Sequence, residues 1–223
     1  MKGKIIVLEG VDGVGKATQT SLLVNWLAKK EIPCISQSFP DYGSPACAPV
    51  EEYLHGGYGE NAAEVNPYAV STMFAVDRFA SYQKHWKQAY ENGYILVCDR
   101  YTTSNAVLQG GKLPLEERPA YWDWLYDLEF NKMGLPKPDL VLYLDAPIAL
   151  TSKLMDKRQQ TTSHQSDIHE ADIQFLKAGR TSGMAAADYL GWDVIQCFSD
   201  DASRILSIEE IQKKIVNRVQ RIL

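Results

Sequence analysis

The sequence contains no run of about eighteen consecutive apolar residues, the length that a membrane-spanning helix requires. Glu9 interrupts the short apolar stretch near the first residue, so no secretory signal is predicted. Basic residues are not in excess either, because 23 lysines and arginines face 28 aspartates and glutamates and leave a net charge of −5. An acidic surface argues against a dedicated binder of nucleic acids or anionic membranes, which needs a broad basic field.

Cysteine is scarce, with four residues that form no C-x-x-C pair: Cys34, Cys47, Cys98 and Cys197. Three of them lie in or beside apolar runs, which predicts buried, reduced thiols and therefore a cytoplasmic protein. The composition of the 223 residues, 45% apolar and 23% charged, is typical of one globular domain, expected to span residues 1–223.

Short apolar runs alternate with longer segments of helical spacing along the chain. Five runs are predicted as strands: Ile5–Glu9, Cys34–Phe39, Tyr94–Cys98, Leu140–Asp145 and Val194–Cys197. They lack polar alternation, as expected for a parallel sheet that helices cover on both faces. Helices are predicted over Lys16–Lys30, from Pro67 (with Asn66 as N-cap) to just before Gly93, and over Leu115–Met133, Asp167–Tyr189 and Ile208–Ile222. The fold class is therefore α/β, a five-stranded parallel sheet with helices on both faces, and the polar residues at about 155–168 are predicted to form a short lid.

A glycine-rich loop joins the first predicted strand to the first helix with the G-x-x-x-x-G-K spacing of a phosphate-binding P-loop. Its residues are Gly10, Val11, Asp12, Gly13, Val14, Gly15, Lys16, Ala17 and Thr18. The glycines leave room for backbone N–H groups to surround a phosphate, and the helix N-terminus adds partial positive charge. Lys16 can bridge the terminal phosphates, so the loop predicts nucleotide binding.

Ala17 departs from the P-loop pattern, which places a Ser or Thr hydroxyl there to bind Mg²⁺. Thr18 lies about 100° further round the helix and can bond a phosphate without replacing that ligand. P-loops serve switches, motors and kinases alike. A guanine-nucleotide switch would need N-K-x-D after a strand, whereas residues 131–134 read N-K-M-G.

A second cluster of polar residues follows the third predicted strand, where Asp99 and Arg100 end an apolar run. Ligands of open α/β sheets bind at the carboxyl ends of the strands, so both side chains should face the P-loop. Arginine can hold a phosphate through two hydrogen bonds, and aspartate can hold Mg²⁺ through water. Phe74 and Arg78 lie four residues apart on one helical face, an arrangement that suits a nucleobase.

Together these residues resemble the thymidylate kinases, the family that phosphorylates dTMP. The resemblance runs in order from residue 4 to about 197 through these motifs: Gly10–Thr18, Phe39-Pro40, Phe74-x-x-x-Arg78, Asp99-Arg100-Tyr101-x-x-Ser104-Asn105, Pro138–Asp145 and Asp167-x-His169-Glu170. It implies a P-loop kinase fold, ATP as co-substrate, Mg²⁺ as cofactor and a homodimer. The implied reaction converts ATP and dTMP into ADP and dTDP, a step in dTTP synthesis.

The resemblance also implies roles for individual residues in the acceptor site. Phe74 would stack on thymine, Arg78 would bond a ring carbonyl and Asn105 would read a ring edge. Arg100 would hold the monophosphate, and Asp12 would meet the sugar 3′-hydroxyl or the water around the metal. The acceptor-binding set is completed by Phe39 and Ser104.

Catalysis would depend on three cations by the same resemblance: Lys16, Arg100 and Arg158 of the lid. Gly13 stands where some members of the family carry a P-loop arginine, and in members with glycine there the lid supplies the catalytic arginine. Asp99 and Glu170 would bind Mg²⁺, partly through water.

Three residues depart from the family pattern. Ala17 removes a hydroxyl from the metal site, Asp41 stands where a phosphate-binding arginine is common, and Leu108 replaces an aromatic residue that excludes a ribose 2′-hydroxyl. Two alternatives therefore remain open at this point. One is a kinase for another nucleoside monophosphate or for a deoxynucleoside, with Asp41 as general base, and the other is a nucleotide-binding regulator that has lost catalysis.

Overall fold

The computed structural model describes residues 2–152, 154, 168–169 and 172–223. In this part of the chain five strands form one parallel sheet in the order β2-β3-β1-β4-β5. Their bounds are β1 Lys4–Glu9, β2 Cys34–Ser38, β3 Ile95–Asp99, β4 Leu140–Asp145 and β5 Asp193–Gln196. The predicted α/β class and all five predicted strands are confirmed, each strand to within one residue at either end.

Alternate residues of the central strands pack against opposite layers of helices, because successive side chains of a strand point to opposite faces of the sheet. Ile5 and Val7 of β1 belong to one apolar cluster, and Ile6 and Leu8 belong to the other. Burial on both faces explains why these strands are apolar throughout. At the edge of the sheet, β2 is partly exposed along its whole length.

The helices connect the strands and cover both faces of the sheet. Their bounds are α1 Lys16–Lys29, α2 Ala48–Leu54, α3 Pro67–Ser81, α4 Lys87–Glu91, α5 Thr102–Ser104, α6 Arg118–Tyr126, α7 Ile173–Leu190 and α8 Ile208–Val219. A further helical stretch begins at residue 148. Helices α1 and α8 cover one face, and α6 and α7 cover the other. Among the described helices, none combines the length and the apolar character needed to cross a bilayer.

The helix predicted to begin at Pro67 begins there in the structure, whereas α7 begins later than predicted. Asn66 Oδ1 accepts hydrogen bonds from the amides of Tyr68 and Ala69 at 2.9 and 3.1 Å, as predicted for an N-cap before Pro67. Helix α7 begins at Ile173, six residues later than predicted, because the Asp172 side chain caps it. Most of the predicted lid at 155–168 lies outside the described residues.

Two predicted helices are interrupted by wider, π-helical turns. One such turn, Tyr82–Trp86, separates α3 from α4, and another, Asp127–Lys132, ends α6. A third, Asn105–Gln109, follows the short helix α5 directly after β3. Turns of this kind are frequent at functional sites, and the third one borders the cavity described next.

A nucleotide-sized cavity at the ends of strands β1 and β3

The P-loop after β1 adopts backbone angles that favour glycine. Gly13 and Gly15 have φ angles of 80° and 97°, in the left-handed region that side chains disfavour. A Cβ atom on Gly10 would lie 2.5 Å from the carbonyl oxygen of Leu144. Gly15 is the N-cap of α1 and brings no side chain to the helix terminus, so the first amides of α1 are left to bind an anion.

Lys16 is buried and curls back over the loop that precedes it. Its ammonium donates hydrogen bonds to the carbonyl oxygens of Gly10 and Val11 at 2.8 and 3.0 Å, and lies 3.4 Å from Asp12 Oδ1. Burial and the charge of Arg100 lower the pKa of Lys16, while the carboxylate of Asp12 opposes that shift. The side chain therefore stands at the loop where phosphate oxygens would bind.

A cavity of about 540 Å³ opens beside the P-loop, a volume within the range of small-molecule sites. The predicted site residues that line it are Asp12, Gly13, Gly15, Lys16, Ala17, Thr18, Phe39, Phe74, Arg78, Asp99, Arg100, Ser104 and Asn105. Gly10, Val11 and Val14 of the P-loop are buried and are not among the lining residues. Arg158 and Glu170 lie outside the described residues. The fold therefore brings together residues from four separate segments of the sequence.

Arg100, the first residue after β3, lies between two acidic side chains. One of its terminal nitrogens bonds Asp12 Oδ1, and the other lies 3.6 Å from Glu9 Oε1. Burial alone would raise the pKa of Asp12, but the charges of Arg100 and Lys16 hold that pKa well below its usual range. Asp12 is therefore ionised at neutral pH.

The Phe74–Arg78 pair on α3 also lines the cavity. Phe74 packs edge-on against Tyr53, with ring centroids 6.4 Å apart. Arg78 is buried and forms a two-bond ion pair with Glu129, with Nε 2.7 Å from Oε2. Burial of Arg78 opposes its charge, but Glu129 keeps the pKa above its ordinary value. Glu129 had no assigned role, since nothing in its local sequence distinguishes it from a surface acid.

Two further residues at the cavity were not predicted to be part of the site. Gln109 is almost fully buried, lines the cavity and has an Oε1 atom that accepts no hydrogen bond from the described residues. Its position next to Leu108, a residue expected near the sugar of the acceptor, is the signal that could have indicated it. His169 lines the same cavity, and its Nε2 lies 2.8 Å from the hydroxyl of Tyr53.

Asp41 has surroundings unlike those of a general base. Its backbone amide donates to Asp77 Oδ2 at 2.9 Å, and its carboxylate lies 3.7 Å from Nε2 of His85. Among the described residues that line the cavity, Pro40 and Tyr42 are present but Asp41 is not. Leu108 does line the cavity.

The oxygen ligands available beside the P-loop are of the kind that binds Mg²⁺. Asp99 ends β3 in the wall of the cavity, and no side chain from the described residues donates a hydrogen bond to its carboxylate. Mg²⁺ in nucleotide sites is bound by one or two carboxylates with water and substrate phosphates rather than by a cage of protein ligands. In the described part of the chain no group of three or more His, Cys, Asp or Glu residues forms such a cage. The residues present fit a phosphate-bound Mg²⁺.

A P-loop after β1, an Asp–Arg pair after β3 and an aromatic–arginine pair across one cavity define a phosphotransferase of the P-loop nucleotide kinase class. Residues 8–215 match the sequence model of the family described as thymidylate kinase, and the chain belongs to this family.

Similar proteins cover most of the chain. Thymidylate kinase of Mycobacterium tuberculosis strain H37Rv is 32% identical over 192 residues, which are 84% of this chain and 87% of that protein. The probable thymidylate kinase of Caldivirga maquilingensis is 28% identical over 201 residues, 90% of this chain and 86% of that protein. Thymidylate kinase of Schizosaccharomyces pombe is 25% identical over 210 residues, 93% of this chain and 91% of that protein.

Proposed function

We propose that the cavity binds ATP at the P-loop and dTMP between Arg100 and the Phe74–Arg78 pair. The reaction is the ATP-dependent phosphorylation of dTMP to dTDP, a step in dTTP synthesis. The observation that carries this assignment is that the P-loop, Arg100 and the Phe74–Arg78 pair all line one cavity. A nucleoside monophosphate carries a phosphate for the arginine and a base for the aromatic–arginine pair.

At the donor end, the amides of the P-loop and the start of α1 receive the phosphates of ATP. Lys16 exchanges its bonds to the carbonyls of Gly10 and Val11 for phosphate oxygens. Thr18 lines the cavity and offers its hydroxyl to a phosphate, whereas Ala17 offers none.

At the acceptor end, Phe74 stacks on thymine and Arg78 donates to a ring carbonyl, while Glu129 keeps the guanidinium charged and fixed. Asn105 reads the ring edge, and Arg100 binds the monophosphate. Asp12 meets the sugar 3′-hydroxyl or the water around the metal. Phe39 and Ser104 complete the walls of this end.

Mg²⁺ would be held by Asp99, with Glu170 as the second proposed ligand, partly through water. When bound, it neutralises negative charge on the phosphates of ATP. Arg158 remains the proposed lid arginine, in the segment proposed to close over the site at about 155–168.

The chemical step is an in-line attack of the dTMP phosphate on the γ-phosphoryl group. The attacking oxygen already carries negative charge, so the residues of this chain position the groups and neutralise charge rather than remove a proton. Lys16 and Arg100 neutralise the transferred group from the donor and acceptor sides, and Arg158 would add a third cation on closure. Exclusion of water by the closed site would suppress hydrolysis of ATP.

An ADP-release assay with ATP and Mg²⁺ tests this function against a panel of nucleoside monophosphates and deoxynucleosides. We expect turnover on dTMP, with dUMP slower and ribonucleotides poor. Phe74→Leu should raise the KM for dTMP by about tenfold, since base stacking is lost. The same change at Phe198, a half-buried phenylalanine outside the cavity lining, is the matched control, and Phe198→Leu should leave KM unchanged. Turnover on a nucleoside with none on dTMP would refute the assignment.

We propose further that the enzyme is a homodimer joined through α3. Val76 and Phe79 project from α3 with 46% and 37% of their surface exposed, an apolar patch on a helix whose other face lines the cavity. Val76→Glu should convert the dimer to a monomer in size-exclusion chromatography with light scattering. Lys213→Glu, on the exposed side of α8, is the charge-changing control. A monomeric wild type would refute the dimer.

The proposed location is the cytoplasm. ATP is available there, and thiols such as the buried Cys98 and Cys197 remain reduced.

A further inference from the structure

Glu9 is the last residue of β1 and directly precedes the P-loop, and it has no part in the function proposed above. Its side chain is fully buried, at 0% exposure, and it is not among the residues that line the cavity in the described part of the chain. A carboxylate buried to this degree is tolerated only when donors satisfy its oxygens. The identity of those donors indicates what the residue does.

The hydrogen-bond donors to Glu9 come from the P-loop and from the segment that follows β3. Oε2 accepts hydrogen bonds from Thr103 Oγ1 and Ser104 Oγ, each at 2.7 Å. Oε1 accepts from the backbone amide of Gly10 at 2.9 Å and lies 3.6 Å from Nη1 of Arg100. One carboxylate therefore ties the first amide of the P-loop to three side chains that follow β3.

The backbone of Arg100 is in a conformation that residues other than glycine disfavour, so neighbouring groups must hold it in place. Its φ angle is 68°, in the left-handed region, which persists in non-glycine residues only where the surroundings enforce it. The amide of Arg100 donates to the carbonyl of Leu8 at 3.1 Å, directly beside Glu9. Ser104 Oγ, which Glu9 holds, in turn lies 3.4 Å from Nη1 of Arg100. Backbone and guanidinium are both fixed against the end of β1.

The two acids that flank Arg100 differ in what they can do. Asp12 lines the cavity, so it can exchange Arg100 for a substrate group during the reaction. Glu9 is fully buried, and its carboxylate accepts hydrogen bonds from Gly10, Thr103 and Ser104. Because it does not reach the cavity, it cannot serve as a general base for the acceptor.

We propose that Glu9 is a positioning residue for phosphoryl transfer, whose buried carboxylate aims the guanidinium of Arg100 and locks the loop after β3 to the P-loop. The proposal rests on the function assigned to the cavity, in which Arg100 binds the acceptor phosphate. Glu9 acts through Arg100, because it is Arg100 that touches the substrate. Charge and geometry both matter, since an ionised partner binds guanidinium more strongly and more directionally than a neutral amide does.

The test is Glu9→Gln, which keeps the size of the side chain and removes its charge. We expect the KM for dTMP to rise by about tenfold while the KM for ATP changes little, because Arg100 serves the acceptor. A double-mutant cycle with Arg100→Lys separates positioning from a general structural effect. If Glu9 acts through Arg100, adding Glu9→Gln to Arg100→Lys should change kcat/KM for dTMP much less than it does in the wild type. Equal effects in both backgrounds, or no effect in the wild type, would overturn the proposal.

Thr103→Val provides a second test if Glu9→Gln does not fold. It removes one donor to Glu9 without touching the cavity or Arg100, and it should shift the KM for dTMP in the same direction by a smaller factor. Thr181→Val, at an exposed position of α7 outside the cavity lining, is the matched control. An unchanged KM in Thr103→Val would contradict the proposal. A wild-type chain with no turnover on dTMP would instead refute the assigned function, and the role of Glu9 with it.

Discussion

The buried ion pair between Arg78 and Glu129 gives the sharpest prediction of stability. The exposures of the two side chains are 1% and 0%, and the bond from Nε to Oε2 is 2.7 Å. Thr102 Oγ1 adds a third hydrogen bond to Glu129 Oε2 at 2.6 Å. Glu129→Gln should destabilise the protein strongly, because it leaves a buried guanidinium without its counter-charge.

The expected loss follows from measurements on other buried pairs. Removal of one partner of a buried pair costs about 3–5 kcal/mol. For a chain of this length each kcal/mol lowers Tm by about 2–4 °C, so Tm should fall by about 6–20 °C. Thr102→Val removes only the third hydrogen bond and should cost about 1 kcal/mol.

The assay is urea unfolding of the wild type and three variants, followed by steady-state kinetics. The third variant, Arg78→Met with Glu129→Leu, replaces the pair by apolar side chains and should recover most of the lost stability. It should still raise the KM for dTMP by about 10- to 100-fold, because a charged donor to the base is missing. Stability and recognition would thus separate in one series.

Two results would refute this reasoning. A loss below about 1 kcal/mol in Glu129→Gln would mean that the pair is hydrated and not buried as a unit. An unchanged KM for dTMP in the apolar double variant would mean that Arg78 serves the core and not the base.

Three further predictions concern separate parts of the protein. Burial lowers the pKa of Lys112 to about 7 from an ordinary 10.5, so its charged form costs stability below pH 7 and this cost fades as pH rises toward 10.5. In urea titrations the unfolding free energy of the wild type, relative to that of Lys112→Met, should therefore increase between pH 7 and 10.5. A difference between the two proteins that does not change with pH would refute the burial argument. Ala17→Ser restores a hydroxyl after Lys16 and should lower the Mg²⁺ concentration for half-maximal rate, whereas an unchanged Mg²⁺ titration would show that the metal does not reach this position. Gly183→Ala would place a Cβ 2.3 Å from the hydroxyl of Tyr143 and should lower the unfolding free energy by about 1–3 kcal/mol, as measured by calorimetry. Gly134→Ala is the comparison, because its Cβ would meet no neighbour and only the positive φ would cause strain.

Features that depend on neighbouring residues could be predicted from the sequence alone. The five strands, the P-loop and the Asn66 cap are each specified by spacing within about ten residues, and each was found where expected. The motifs after β1 and β3 could also be assigned to one edge of the sheet, because parallel strands end at the same side.

Pairings between distant parts of the chain were decided only by the tertiary structure. Glu9 meets Ser104 across 95 positions, and Arg78 meets Glu129 across 51, and neither pairing leaves a trace in the local sequence. The strand order and the π-helical turns likewise depend on packing. Local spacing specifies which segments form strands and loops, whereas burial of charge requires partners that only the folded chain brings within bonding distance.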